Sequence, residues 1–349
     1  MGNSTISMDH YYTLYFMVSG SVLDCSFFET HELHREVPNK VIGAIYTAVG
    51  LIFLVPYIPY GVAMLAKSNY QLSCYKLMFY LLVIDWVELL FIGPVSGYFE
   101  WYGYSPCHAP LANTIFGTIT FGCYIGSCAC STLLLFNRCV DVINPSLSQK
   151  LFEGHKTHLW LLLPTAYGIY GSLNTPTLYY LPVIHTWIFN PYAGYQMNGT
   201  NVRPNELHIY NNIAYITLSL ILYAIFSIKL LCKTKQVKSK TQVSKVAEYI
   251  LLQCIMTWII NVSGCIMFII LTYVSVPTIF TIIAHLFWCF MHICPLLAYM
   301  TTNKTLKKNI TSQWTRIVTG KKTVSKEINV NTKVDFHNNK VLETAINHI

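Results

Sequence analysis

Residues 41–66 read VIGAIYTAVGLIFLVPYIPYGVAMLA, 26 residues without one Asp, Glu, Lys or Arg. At 1.5 Å rise per residue, about 20 such residues cross the ~30 Å hydrocarbon layer of a bilayer. In lipid only a helix satisfies its own backbone hydrogen bonds, so the stretch reads as a transmembrane helix. Six more of the same kind follow, over 75–99, 109–136, 158–181, 210–232, 247–273 and 277–301. The expected fold is an all-α membrane protein, a seven-transmembrane-helix bundle. An odd number of spans puts the two termini on opposite sides.

The remaining composition agrees. Of 349 residues, 54% are hydrophobic and only 11% charged, against about 25% charged in soluble domains. Placing Arg35, Lys40 and Arg203 outside leaves 20 of the 23 Lys and Arg on the other side. The positive-inside rule then sets the N-terminus outside and the C-terminus in the cytoplasm. The formal net charge of +8 is thus a consequence of topology, not a nucleic-acid footprint. Two glycosylation sequons fit the same orientation, at Asn3 and Asn198, while those at Asn303 and Asn309 fall on the cytoplasmic side. The chain divides into an extracellular segment over 1–40, a helical domain over 41–301, an amphipathic juxtamembrane helix over 302–320 and a disordered tail over 321–349. Residues 11–23 are apolar but too short to span.

The 12 cysteines sort by the same topology. Most fall in the spans or at the reducing face. Only Cys25 and Cys107 fall outside, which predicts one bridge in an oxidising compartment, the alternative being two separate thiols. Inside the membrane, Asp85 and Glu88 lie three apart on one face of the second span. Buried charge is costly there, so intramembrane acids default to function: a sodium site, a polar network that shifts between states, or a ligand counter-ion. The bland alternative is a protonated, hydrogen-bonded pair. The 12 histidines build no metal box, because His155 and His158 stand alone and His285 and His292 are two turns apart. No nucleophile–base arrangement is recognisable. An enzyme, a metal and a cofactor are therefore not expected.

Several motifs now point one way. Cys25-Ser26 precedes the first span, which contains Gly43-Ala-Ile-Tyr46 and Tyr57-Ile-Pro-Tyr60. Cys107 precedes a third span rich in Gly and Cys that ends Asn137-Arg138-Cys139. The seventh ends Cys294-Pro295-Leu-Leu-Ala-Tyr299. Over about 22–318 the chain resembles the nematode serpentine receptors of class T, a chemoreceptor family of the G-protein-coupled type. The resemblance implies that Asn137, Arg138, Cys139, Pro295 and Tyr299 serve coupling and switching. It also sets Ser127, eleven residues before Arg138, opposite Asp85, making Asp85, Glu88 and Ser127 an intramembrane polar network. The chain departs from rhodopsin-like receptors in having Asn137 for the acid before the Arg, Cys294 for Asn, no Pro in the fifth and sixth spans, and no Cys in the long loop over 182–209.

The resulting expectation is a chemosensory receptor in the plasma or ciliary membrane of a sensory cell. Its partners would be membrane lipid, a small-molecule or peptide ligand, and a cytoplasmic heterotrimeric G protein. Candidate ligand contacts in the outer half are Asn113 and Phe116 on the third span, Tyr180 on the fourth, Asn212 and Tyr215 on the fifth, Tyr273 on the sixth and Phe280 on the seventh. The alternatives are a small transporter or channel, with Asp85, Glu88 and His285 along its path, and a receptor-like protein that no longer signals.

Overall fold

The computed structural model describes Cys25 and residues 38–194, 204–236, 240–302 and 306–311. Seven long helices run through them: α1 (Lys40–Met64), α2 (Ser73–Tyr102), α3 (Pro110–Ile143), α4 (Lys156–Asn174), α5 (Glu206–Gln236), α6 (Lys240–Tyr273) and α7 (Thr278–Thr302). Among the described residues, all of these but α4 contain a stretch long and apolar enough to cross a membrane. α4 is 19 residues and diluted by polar and small side chains. Its Leu159, Leu162, Leu163 and Ile169 are nevertheless exposed, as are Val55 of α1 and Ile213 of α5. Outward apolar faces on every side are stable only against lipid. The chain is a multi-pass membrane protein.

Local sequence explains the helix ends. Asn39 caps α1, its side chain accepting from the Ile42 N–H. α3 runs past Arg138, expected at its end, and stops at Ile143, where Asn144 turns extended before Pro145 and caps a short helix, Pro145–Phe152. α4 does not reach 181. Thr175 is extended ahead of Pro176, which disfavours helical backbone in the residue before it. The apolar run that follows instead forms β1 (Tyr179–Leu181), paired antiparallel with β2 (Thr186–Ile188) in the register Tyr180 opposite Trp187. Tyr180 therefore sits on a strand, not on the fourth helix, and a hairpin joins the otherwise all-α fold. A short apolar run cannot be told from a helix end by periodicity alone.

α2 is interrupted by a π-helical turn over Phe91–Val95, at the sequence Gly93-Pro94. Within this turn the Ile92 carbonyl accepts from His285 of α7. Beside it, α1 and α2 approach through glycine: a Cβ on Gly50 would lie 2.9 Å from the Gly93 Cα, and one on Gly43 would lie 2.9 Å from the Gly97 carbonyl oxygen. Small residues at such contacts let helices associate by close packing in lipid. The buried core between the helices is largely aromatic and sulfur-rich, with Tyr57, Tyr75, Phe121, Trp187, Trp288 and Cys289 fully or nearly covered.

Cys25 and Cys107 form a disulfide across 82 residues, tying the N-terminal segment to the start of α3. Residues 306–311, within the expected juxtamembrane helix, are helical, with Leu306 buried. Asn3, Asn198, residues 11–23 and the tail after 311 lie outside the described residues.

Candidate functional site

The hairpin is folded into one end of the bundle, and Glu100 of α2 holds it there. Glu100 is fully buried and accepts from the Tyr180 hydroxyl and the His185 Nδ1, each at 2.6 Å. Burial and the nearby Glu100 carboxylate push the Tyr180 phenol well above its ordinary range, so it donates. Trp187 donates to the Ser96 Oγ at 2.7 Å, and the Asn113 side chain accepts from the Tyr180 backbone N–H. His185 closes the hairpin turn at φ 57°, a left-handed conformation unusual for a residue with a Cβ. His285 donates from Nε2 to the Ile92 carbonyl, which leaves its Nδ1 to accept from Thr186 at 3.2 Å.

Beneath the hairpin lies a small cavity. α3 contributes Phe121 and Tyr124, the hairpin segment Leu178, Trp187, Ile188 and Phe189, and α5 His208. α6 supplies Phe268, Leu271 and Thr272, and α7 closes the wall with Trp288. None of the lining side chains is an acid, Lys or Arg.

Trp288 also belongs to a second feature. Its Nε1 donates to Glu88 Oε1 at 2.9 Å. One turn further along α7, His292 Nδ1 lies 2.9 Å from Asp85 Oδ1, which also accepts from Ser127 Oγ at 3.3 Å. His292 Nε2 is 3.2 Å from Glu88 Oε1, within ion-pair range but off the line of a hydrogen bond. Tyr57 of α1 donates to the His292 carbonyl. Asp85, Glu88 and His292 are all at most 2% exposed. Four helices thus meet at one imidazole flanked by two carboxyl groups. Among the described residues no group of three His, Cys, Asp or Glu is arranged to hold a metal ion.

Toward the opposite end of the bundle, Asn137 donates to the Ser73 Oγ at 3.2 Å, Arg138 reaches the Met78 sulfur at 3.7 Å, and Cys139 donates to the Leu222 carbonyl. Tyr299 is buried in the core beside the same end of α2, and Pro295 lies inside α7. Asp141, one turn beyond Arg138, accepts from Ser148.

The expected ligand contacts fall around the cavity rather than in its wall. Asn113 and Tyr180 fasten the hairpin. Phe116 packs between Phe91 and Phe99. Asn212 accepts from the wall residue Tyr124 at 2.6 Å, and Tyr215 accepts from Asn261. Tyr273 is exposed and Phe280 half-buried, and neither lines the cavity. Asp85 does meet Ser127. The sequence reading missed Glu100, His208, Trp288 and His292. The available signal was spacing: Trp288 and His292 are four apart, so they share one face of a helix with His285.

A model of the family described as serpentine type 7TM GPCR chemoreceptor Srt matches residues 8–323. The Serpentine receptor class T-55 of Caenorhabditis elegans is 24% identical over 269 residues, covering 76% of this chain and 72% of its own length.

Proposed function

The chain belongs to the Srt family of serpentine seven-transmembrane chemoreceptors, and on that premise we propose that it passes an external ligand signal to a cytoplasmic heterotrimeric G protein. Membership in a receptor family supports a non-enzymatic reading. The observation that carries the reading is Trp288, which is at once a wall of the aromatic cavity and a donor to the buried carboxylate network. A ligand that prefers one position of that indole biases the packing of α2, α3 and α7, and so the population of two bundle states. The end bearing Asn137, Arg138, Cys139, Pro295 and Tyr299 is then the G-protein face. The basic residues on that side and the disulfide at the opposite end support an N-terminus outside and a C-terminus in the cytoplasm. The setting is the plasma or ciliary membrane of a sensory cell.

Trp288→Phe keeps a ring in the wall and removes the N–H. The expected outcome is near-normal surface level with G-protein activation reduced at least about tenfold, read by energy transfer between labelled Gα and Gβγ in cells. Normal activation by the variant, or no activation of any Gα class by the wild type, sinks the proposal. An ion current abolished by Asp85→Asn would favour a transporter instead.

A further inference from the structure

The geometry points to a ligand class for the cavity: a small neutral molecule, apolar or aromatic in its body, with one hydrogen-bond acceptor that takes the Nδ1 hydrogen of His208. This rests on the receptor reading above and deepens it.

Every side-chain N–H or O–H in the wall other than that of His208 has an acceptor. Trp187 donates to Ser96 and Trp288 to Glu88. Tyr124 donates to Asn212, and Thr272 to the Phe268 carbonyl. His208 is different. Its Nε2 lies 3.1 Å from the Asn212 Nδ2. That amide group also faces the Cys265 carbonyl, which can only accept, while the Asn212 Oδ1 receives the Tyr124 hydroxyl. The Asn212 nitrogen is therefore the donor and His208 Nε2 the acceptor, so the imidazole is neutral and its hydrogen sits on Nδ1. Nδ1 has no partner among the described residues, and His208 is 6% exposed. The ring is surrounded by Phe121, Tyr124, Phe189 and Phe268, all of them cavity walls. A buried donor left unmade is costly, and a ligand acceptor placed there removes the cost.

Charge is argued against from both sides. An anion would lose its hydration with no cation in the wall to replace it. A cation could use the aromatic faces, but it would find no carboxylate in the wall.

Three shape-matched probes test this on the purified full-length chain in lipid nanodiscs, read by quenching of tryptophan fluorescence: acetophenone, ethylbenzene and phenyltrimethylammonium. Acetophenone should bind at least about fivefold more tightly than ethylbenzene. His208→Phe, which keeps a ring, should retain ethylbenzene binding and shrink that preference below about twofold. Leu271→Trp, which fills the cavity, should abolish binding of both and so localise the wild-type preference even if His208→Phe fails to fold. Equal binding of ketone and hydrocarbon, a preference that survives His208→Phe, tighter binding of the ammonium probe, or no binding of any probe overturns the assignment. The G protein is absent from this measurement. Ketone-selective binding without G-protein activation in cells would leave the assignment standing and remove the receptor reading, and activation without selectivity would do the reverse.

Discussion

His292 sits between two acids that the sequence makes conspicuous and that it could not connect. Asp85 and Glu88 were legible because charge in a span is expensive. His292 was not, because a histidine on an apolar face carries no mark of what stands opposite it on another helix. With the imidazole against Asp85 Oδ1 and beside Glu88 Oε1, the place a cation would take beside these acids is filled by a side chain of α7. Wild-type ligand potency should therefore stay constant when sodium is exchanged for potassium. A shift larger than about threefold would mean that sodium enters the site beside these acids despite His292. Asp85→Asn keeps the shape and removes a carboxylate from the network. It should leave surface level near normal and move basal activity or potency by about five- to a hundredfold, the usual span of coupling energies. A variant indistinguishable from wild type would make Asp85 a packing residue.

At the scale of elements, the hairpin is what sequence reading converted into helix. Its strand before the turn has three residues, too few to show alternation, and Thr175-Pro176 was the signal that α4 must end. The spans themselves were legible to within a turn or so at most ends, since length and apolarity are one-dimensional properties. The hairpin's place depends on a contact 61 residues away in sequence: a Cβ on Gly117 of α3 would fall 1.8 Å from the Leu178 carbonyl oxygen. That atom is backbone, so it cannot rotate aside. Gly117→Ala should lift the hairpin from the bundle, cost about 1–3 kcal/mol of stability in detergent melts, and weaken ligand response more than it lowers surface level. A melting temperature and potency equal to wild type would show that the hairpin yields freely.

The whole molecule was the most legible scale. Seven apolar runs and lopsided Lys and Arg gave the bundle and an orientation, while the cavity was not foreseen because it is made by residues from five separate segments. Orientation has a direct check. Asn3 and Asn198 should both carry glycans, so that Asn3→Gln and Asn198→Gln each remove one glycosidase-sensitive step in electrophoretic mobility, and Asn303→Gln and Asn309→Gln remove none. Loss of a step from either of the last two would invert the topology. The bridge between Cys25 and Cys107 adds a clock to the chain's biogenesis. Its first thiol is synthesised 82 residues before its partner, which at roughly 5–20 residues per second is a wait of about 4–16 s. α1 and α2 are synthesised in that interval. Every other cysteine with a described side chain lies in a helix. Nascent chains stalled before Cys107 emerges should react with a maleimide at Cys25, and chains stalled well beyond α3 should not. Reactivity that persists in the longer chains would place closure of the bridge after synthesis is complete.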